Sequence, residues 1–415
     1  MDFISELQWR GLVKDVTDLD GLRERLKTPV TLYCGFDPTA DALHVGHLQQ
    51  ILLLRRYQLN GHTPIALCGG CTAMIGDPRP TTERKLLTLE EVASNAECIK
   101  KQLALFLDFD CENAAIMDNN YNWLSKISMI EFLRDYGKYF NVNYMINKDI
   151  VASRLETGIS FTEFSYTILQ SIDWLKLFEL YNCEIQIGGS DQWGNLTSGV
   201  ELLRKTHGEK GKVFGITSPL IARSDGSKFG KSEGRNVWID ATKTSAYEFY
   251  QFWLNTADAD VVDFLKRLSF KTREEIETLE VEMKEAPHLR NAQKALANEL
   301  TTLVHGEHGL ESAKKISSVL FSGNLKELNP SEIKVALQDA PKHVIDNNIP
   351  LIDAMVSCAI SSSKREARDL LKNGVMVNGD KITDENYILN KEIAFDSSFI
   401  TIRKGKKNYF VLTFE

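Results

Sequence analysis

The sequence predicts an open α/β fold on a parallel sheet for its N-terminal half, and three observations carry that prediction. The run Val30-Thr31-Leu32-Tyr33-Cys34-Gly35-Phe36 is β-branched and aromatic, and Asp37-Pro38 closes it as a strand entering a turn. From Gly46 to Leu59 the residues Leu48, Ile51, Leu52 and Leu54 recur at helical spacing until Asn60-Gly61, a C-terminal cap. Pro64 to Cys68 is a second apolar strand. Strand, helix and strand in that order form a βαβ unit with parallel pairing. Cys183 to Ile187, ended by Gly188-Gly189, adds another strand, and ligands in such sheets lie at the C-terminal strand ends.

From Thr244 to Phe321 the pattern changes to long charged helices, with a capping box at Thr272 and Glu275. Gly323, Asn324, Asn329, Pro330, Pro341 and Pro350 mark a linker holding one short helix, Ser331 to Leu337. From Pro350 onward ten basic side chains stand against nine acidic ones, with a tight hairpin at Asn378-Gly379 and a strand at Tyr409 to Phe414.

Composition bounds the function. The 415 residues leave room for roughly three domains. With 43% hydrophobic and 26% charged residues the chain is an ordinary globular protein, which excludes dominant disorder. Lys plus Arg is 49 against 57 Asp plus Glu, a net charge of −8 that argues against a nucleic-acid coat or a membrane-surface protein while allowing a local basic patch. No apolar run is long enough to span a bilayer, and Asp2, Glu6 and Arg10 interrupt the start, so no membrane partner and a cytoplasmic location are expected. Seven scattered cysteines fit reduced thiols. Cys68 and Cys71 lack two further zinc ligands, and His305 with His308 lacks a third, so no metal site is expected.

Two constellations carry chemistry. His44-Val45-Gly46-His47 stands where the first strand's turn meets the next helix, whose N-terminal N–H groups and dipole suit a phosphate, with two imidazoles able to donate to it. Gly46 removes a side chain where a nucleotide would approach. Taken alone, the motif fits a helix cap equally well. Ser227-Lys228-Phe229-Gly230-Lys231-Ser232 brings two ammonium groups into a glycine-rich loop that could close on a triphosphate, though such loops are commonly solvated surface. No GxGxxG and no GxxxxGK[ST] occurs, which argues against a nicotinamide cofactor and a P-loop. A helix from Phe161 to Phe178 places Tyr166, Gln170 and Asp173 at i, i+4 and i+7 on one face. Phe161, Phe164, Ile168, Leu169, Ile172 and Leu175 make the rest of the helix largely apolar, so this stripe should line a pocket.

The motifs HVGH and KFGKS, in this order, resemble the HIGH and KMSKS signatures of class I aminoacyl-tRNA synthetases. The segments Tyr33 to Ala40 and Gly188 to Asn195 narrow the likeness to the bacterial tyrosyl branch, over essentially the whole chain. The resemblance implies a Rossmann-like parallel-sheet catalytic domain over 1–222 with an inserted dimerisation segment, and a mobile KFGKS loop at 223–235. An α-helical anticodon-recognition domain at 236–322, a linker at 323–349 and a small α+β RNA-binding domain of the S-four type at 350–415 follow. It also implies activation of L-tyrosine by ATP with Mg2+, transfer to tRNA(Tyr), and a homodimer whose interface lies near Asn119 to Met145, with Trp123, Phe132, Tyr136 and Phe140 as apolar material. No tightly bound organic cofactor and no zinc belong to that scheme.

Carried over by position, Tyr33 and Asp173 would bind the substrate phenol, Asp77, Tyr166 and Gln170 its ammonium, and Gln192 the reacting carboxylate. Cys34, Gly35, Asp37, Gly46, Gly189 and Asp191 would surround ATP, with Lys231 shared between ATP binding and catalysis. Thr39 and His44 would act on the phosphates with Lys228, Lys231 and Ser232 closing from the loop, and His47, which the resemblance puts with Cys34, Gly189 and Asp191 around the ribose and its neighbouring atoms, counts with them as catalytic. Lys364, Arg365, Arg368, Lys372, Arg403, Lys404, Lys406 and Lys407 would meet tRNA, the first, third and fourth sharing one helix face. Val45 replaces the usual Ile and Phe229-Gly230 the usual Met-Ser, while the loop Arg79 to Arg84 departs from the family's forms and receives no role. A tryptophanyl-type enzyme, a small nucleotidyltransferase and a non-catalytic tRNA-binding relative remain alternatives.

Overall fold

The computed structural model describes residues 2–414 apart from 79–85, 156–157, 227–228, 233, 323, 339 and 406–407, and leaves the side chains at 149, 150 and 232 undescribed. Two compact units emerge: Met1–Thr244 with Phe252–Val304, and Ser245–Gln251 with His305–Glu415.

The first unit is built on the strands β1 (Thr31–Phe36), β2 (Thr63–Cys68), β3 (Ile116–Asn119), β4 (Cys183–Gly189) and β5 (Phe214–Ser218), all parallel in the order β3-β2-β1-β4-β5. The expected βαβ unit is present, with β1 and β2 in register from Thr31 opposite Thr63 to Phe36 opposite Cys68. Every residue of β2 after Thr63 is buried, the near-continuous apolar run of a sheet covered on both faces. From β1 the chain crosses to β2 on one side, while β4 joins on the other. The crevice at the C-terminal ends of β1 and β4 is therefore the topological switch point, where open α/β sheets bind ligands.

The helix after β1 opens as a tight turn, Val45–His47, and continues as Leu48–Leu59 to a cap at Asn60. The helix Phe161–Tyr181 is three residues longer than its pattern predicts and stops at Asn182, whose left-handed φ of 51° ends the spiral. Against it packs the helix Trp193–His207 at Gly199, where a Cβ would lie 2.6 Å from the Trp174 ring. A short hairpin, β6 (Lys231–Ser232) and β7 (Arg235–Asn236), follows the sheet, and then charged helices including Asp258–Leu268 and Arg273–Glu285. Both halves of the Thr272 and Glu275 capping box are formed. No helix among the described residues is long and apolar enough to cross a membrane.

The second unit holds β8 (Lys342–Ile345), β9 (Ile349–Pro350), β10 (Val375–Val377), β11 (Asp380–Ile382), β12 (Ile388–Leu389), β13 (Phe399–Lys404) and β14 (Asn408–Phe414). Its main sheet runs β11-β10-β13-β14-β8, over a core of Leu351, Met355, Ala367, Leu371, Ile400, Ile402 and Leu412. The hairpin at Asn378-Gly379 forms as expected, with φ of 49° and 88°. Within the stretch expected as linker, Pro330–Ala336 is the helix, and β8 pairs in parallel with β14. A boundary at Pro350 would therefore cut through this sheet.

Candidate active site

A cavity of about 320 Å³ opens at the C-terminal ends of β1 and β4. Tyr33, Cys34 and Gly35 of β1, then Asp37 and Thr39, line one side. Gly189, Asp191 and Gln192 line the other, while Tyr166, Gln170 and Asp173 project from the helix Phe161–Tyr181, and Gly46, His47 and Asp77 complete the wall. The structure thus gathers fourteen residues that the sequence had scattered over about 160 positions. A Cβ built on Gly35 would meet nothing within 4 Å, so bare backbone faces the space there.

Asp173 is a buried polar group of the cavity wall, 2% exposed. Its Oδ1 accepts from Trp123 Nε1 at 2.8 Å and its Oδ2 from Asn120 Nδ2 at 2.9 Å. Burial pushes its carboxyl up to about 7, against those two donors, which pull it down. Beside it the Tyr33 hydroxyl is buried with no hydrogen-bond partner among the described residues, and burial followed by the Asp173 charge holds its proton firmly in place. A buried donor without an acceptor is costly, so this end of the cavity can receive a group that accepts a hydrogen bond. Trp123, expected among the apolar side chains of an interface, is in fact buried here and serves Asp173. Phe132, Tyr136 and Phe140 are half-buried against the same core. Met129, Ile130, Leu133 and Val142 are exposed apolar side chains of that segment, beside the exposed rings of Tyr121 and Tyr144.

Elsewhere on the cavity wall, Asp77 Oδ2 accepts from Gln192 Nε2 at 2.7 Å and Oδ1 from Asn195 Nδ2 at 3.4 Å. Burial lifts the Asp77 carboxyl to about 6. Asp37 accepts from Tyr166 Oη at 2.8 Å and from Thr72 Oγ1 at 2.7 Å. Asp37, expected at ATP, therefore also braces Tyr166. Asn120 reaches both Thr72 Oγ1 and Asp173, joining the two carboxylates in one network. Asn120, Thr72 and Trp123 are site residues that the sequence reading missed. The Cys34 thiol is buried and raised to about 12, so it is no nucleophile at neutral pH. Cys68 and Cys71, raised by burial to about 12 and 11, are likewise thiols.

His44 and His47 stack with ring centroids 4.1 Å apart. His44 Nδ1 accepts from the Gly46 N–H at 3.0 Å, and His47 Nδ1 accepts from the His44 N–H at 3.2 Å. Burial lowers both, His47 to about 3. Each ring is then neutral with its proton on Nε2, a donor turned away from the backbone. A Cβ on Gly46 would sit 2.7 Å from His44 Cε1, so the glycine is required by this cap as well as by any ligand. Across from the turn, the Val237 carbonyl accepts from the Val45 N–H at 3.0 Å, and the Val237 N–H donates to the Gly230 carbonyl at 2.9 Å. The KFGKS arm thus lies against HVGH. Phe229 anchors it among Phe252, Trp253 and Phe264. Ser227 and Lys228, the Ser232 side chain and the loop 79–84 lie outside the described residues.

In the second unit the expected tRNA-facing cations are mostly paired. Lys364 meets Asp353 at 2.6 Å, Arg368 meets Glu385 at 3.2 Å and Lys372 meets Asp369 at 2.9 Å, all exposed enough that the pairs are weak and exchangeable. Arg365 is exposed. Lys404 is different: its ammonium donates to the Ile360 carbonyl at 2.9 Å and to Glu366 at 3.0 Å, ties that hold it within the unit. Arg403 donates to Tyr409 Oη at 3.4 Å, and Lys406 and Lys407 lie outside the described residues.

Comparison with known proteins adds matches to two family models, two relatives and two solved structures. The family of tRNA synthetases class I (W and Y) matches residues 25–322, and the Tyrosine–tRNA ligase SYY-like C-terminal domain matches 332–412. The chain is 52% identical over 419 positions to the tyrosine–tRNA ligase of Geobacillus stearothermophilus, with the whole of both chains covered. It is 50% identical over 420 positions, again with full coverage of both, to tyrosine–tRNA ligase 1 of Bacillus subtilis strain 168. A C-terminally truncated mitochondrial tyrosyl-tRNA synthetase of Aspergillus nidulans superposes with a TM-score of 0.68 at 31% identity, covering 77% of this chain and 94% of that one. A tryptophanyl-tRNA synthetase of Encephalitozoon cuniculi, at 12% identity and a TM-score of 0.54 over 74% of this chain and 87% of that one, shares the fold.

Proposed function

The chain belongs to the class I tRNA synthetases of the tryptophanyl and tyrosyl group, in its tyrosyl branch, and from that membership we propose how its residues divide the work. Its reaction is tyrosine–tRNA ligation. The tyrosine carboxylate attacks the α-phosphorus of ATP, pyrophosphate leaves, and the 3′-terminal ribose hydroxyl of tRNA then takes tyrosine from the adenylate as AMP departs.

The observation that carries the assignment of roles is the unpartnered Tyr33 hydroxyl beside the doubly held Asp173. A phenol donates to Asp173 and accepts from Tyr33, satisfying both, whereas an indole or a phenyl ring leaves Tyr33 without an acceptor. Asp77, Tyr166 and Gln170 take the ammonium, and Gln192, tied to Asp77, faces the carboxylate. Cys34, Gly35, Gly189 and Asp191 receive the nucleoside.

No protein nucleophile is needed, because the attacking carboxylate is already charged at neutral pH. Catalysis comes from alignment and from donors at the departing pyrophosphate. His44 and His47 present Nε2–H groups there, joined by Thr39 and by the loop's Lys228, Lys231 and Ser232. Removing one such donor costs about 3–4 kcal/mol at the transition state. Mg2+ enters with ATP as part of the substrate, held by phosphate oxygens. Among the described residues no group of three His, Cys, Asp or Glu side chains is arranged to hold a metal.

The partition into a catalytic domain to 222, helical anticodon recognition over 236–322 and an RNA-binding C-terminal domain stays a proposal, as do a homodimer joined through the exposed Met129, Ile130 and Leu133 region and a cytoplasmic location. Tyrosine-dependent ATP–pyrophosphate exchange tests the reading. Exchange with tyrosine and neither tryptophan nor phenylalanine supports the phenol pocket, and equal exchange with phenylalanine sinks it.

A further inference from the structure

Gln102 lies outside the cavity, buried in the last turn of the helix Leu89–Leu103. A buried carboxamide is costly unless its groups find partners. Here the partners come from two runs of chain far apart in sequence. Oε1 accepts from the Leu43 N–H at 2.8 Å, and Nε2 donates to the Asp41 carbonyl and to the Asp240 carboxylate, each at 3.3 Å. Asp41 to Leu43 is the chain running into the His44 turn. Asp240 follows Val237–Ile239, the arm by which the chain returns from the KFGKS loop.

These two runs also meet directly. The Leu43 carbonyl accepts from the Ile239 N–H at 2.8 Å, the Val237 carbonyl accepts from the Val45 N–H, and His44 stands opposite Trp238 in an antiparallel bridge. A second tie, Lys243 to Asp41 at 2.9 Å, lies at the exposed rim. Two backbone bonds define a hinge as readily as a joint. Gln102, from the buried side, is the third point that removes the rotation.

We propose that Gln102 is a positioning residue for the activation step: by joining Asp41 and Leu43 to Asp240 it fixes the angle at which the two histidines meet the arm of the lysine loop. The inference rests on the reading of His44 and His47 as phosphate donors. A small misplacement of such donors from a remote site lowers the rate of the chemical step steeply. Tyrosine binding is untouched, since no residue at its phenol or ammonium bonds to Gln102.

The test is tyrosine-dependent pyrophosphate exchange by the full chain, beside tyrosine binding by equilibrium dialysis. Gln102→Met keeps the side chain's length and removes all three bonds. It is expected to lower kcat about tenfold or more while the tyrosine Kd stays within about twofold. Gln102→Glu keeps the acceptor for Leu43 but sets a carboxylate against Asp240. Adding Asp240→Asn returns a donor there and keeps the Oδ1 that holds Thr242, so the double variant should recover part of kcat.

A lowered melting temperature with unchanged kcat in Gln102→Met, and no recovery in the double variant, would overturn the proposal and leave Gln102 a packing residue. Should Gln102→Met fail to fold, the comparison of Gln102→Glu with its double variant decides alone. His44→Ala separates the two layers. If it leaves kcat intact, the histidine reading falls and this proposal with it, whereas a loss in His44→Ala without one in Gln102→Met removes only the proposal.

Discussion

Tyr33 carries a hydroxyl that the folded protein alone does not satisfy, and this makes its removal informative. Tyr33→Phe should leave the melting temperature unchanged or slightly raised, because an unpaired buried group disappears. Its preference for tyrosine over phenylalanine in pyrophosphate exchange should fall by about 1 kcal/mol. A drop in stability with selectivity intact would place the hydroxyl's value in the fold. The two raised carboxyls make a second prediction. On the proposed assignment, Asp173 near 7 and Asp77 near 6 act as carboxylates, the first accepting a hydrogen bond from the phenol and the second pairing with the ammonium. Tyrosine binding at pH 6.5 should therefore release protons, seen as buffer-dependent heats in calorimetry, and affinity should weaken as pH falls through that range.

The same shifts set the sign for stability. Both folded values lie above the ordinary 3.8, so these carboxyls favour the fold most below that value and lose the contribution as pH rises toward 7. The helical spacing of Tyr166, Gln170 and Asp173 made one wall of the site legible in the sequence. Asn120 and Trp123 were not legible, since they act on a carboxylate about fifty positions away and nothing local marks a residue that serves another buried group.

At the level of elements, the turn Val45–His47 and the arm around Gly230 and Val237 behave as one joint. Gly230 has a φ of 82°, and a Cβ there would approach Val45 Cγ2 to 3.3 Å. Gly230→Ala should cost about 1–2 kcal/mol locally and raise the KM for ATP, while tyrosine binding stays unchanged. Equal loss of affinity for both substrates would place the strain elsewhere. The strands β1, β2 and β4 were legible because buried parallel strands read as apolar runs. The strand β3 was not: Ile116–Asn119 is a half-buried edge strand of only four residues, two of them polar. β8 escaped for a related reason, since Lys342–Ile345 is short, half exposed at the sheet's rim, and paired with a strand some seventy positions on.

Over the whole molecule, charge that looks alike in the sequence divides by what it already holds. Lys404→Ala should lower the melting temperature, because Ile360 and Glu366 lose their partner, whereas Arg365→Ala should leave stability alone and weaken tRNA binding in a filter assay. The reverse pattern would return Lys404 to the RNA face. The exposed Met129, Ile130 and Leu133 make the corresponding prediction for assembly. Replacing Ile130 and Leu133 with Lys should convert a dimer to a monomer in sedimentation velocity, and an unmoved dimer would put the interface on another surface.

The order β3-β2-β1-β4-β5 sets β1 beside a strand that the ribosome delivers about 150 residues later, with Thr31 opposite Cys183. At ordinary translation speeds β1 waits about ten to thirty seconds with one edge unpaired. The substrate crevice is the seam closed by that late arrival. Free tyrosine therefore cannot steady the nascent chain through this crevice until β4 has emerged and paired with β1.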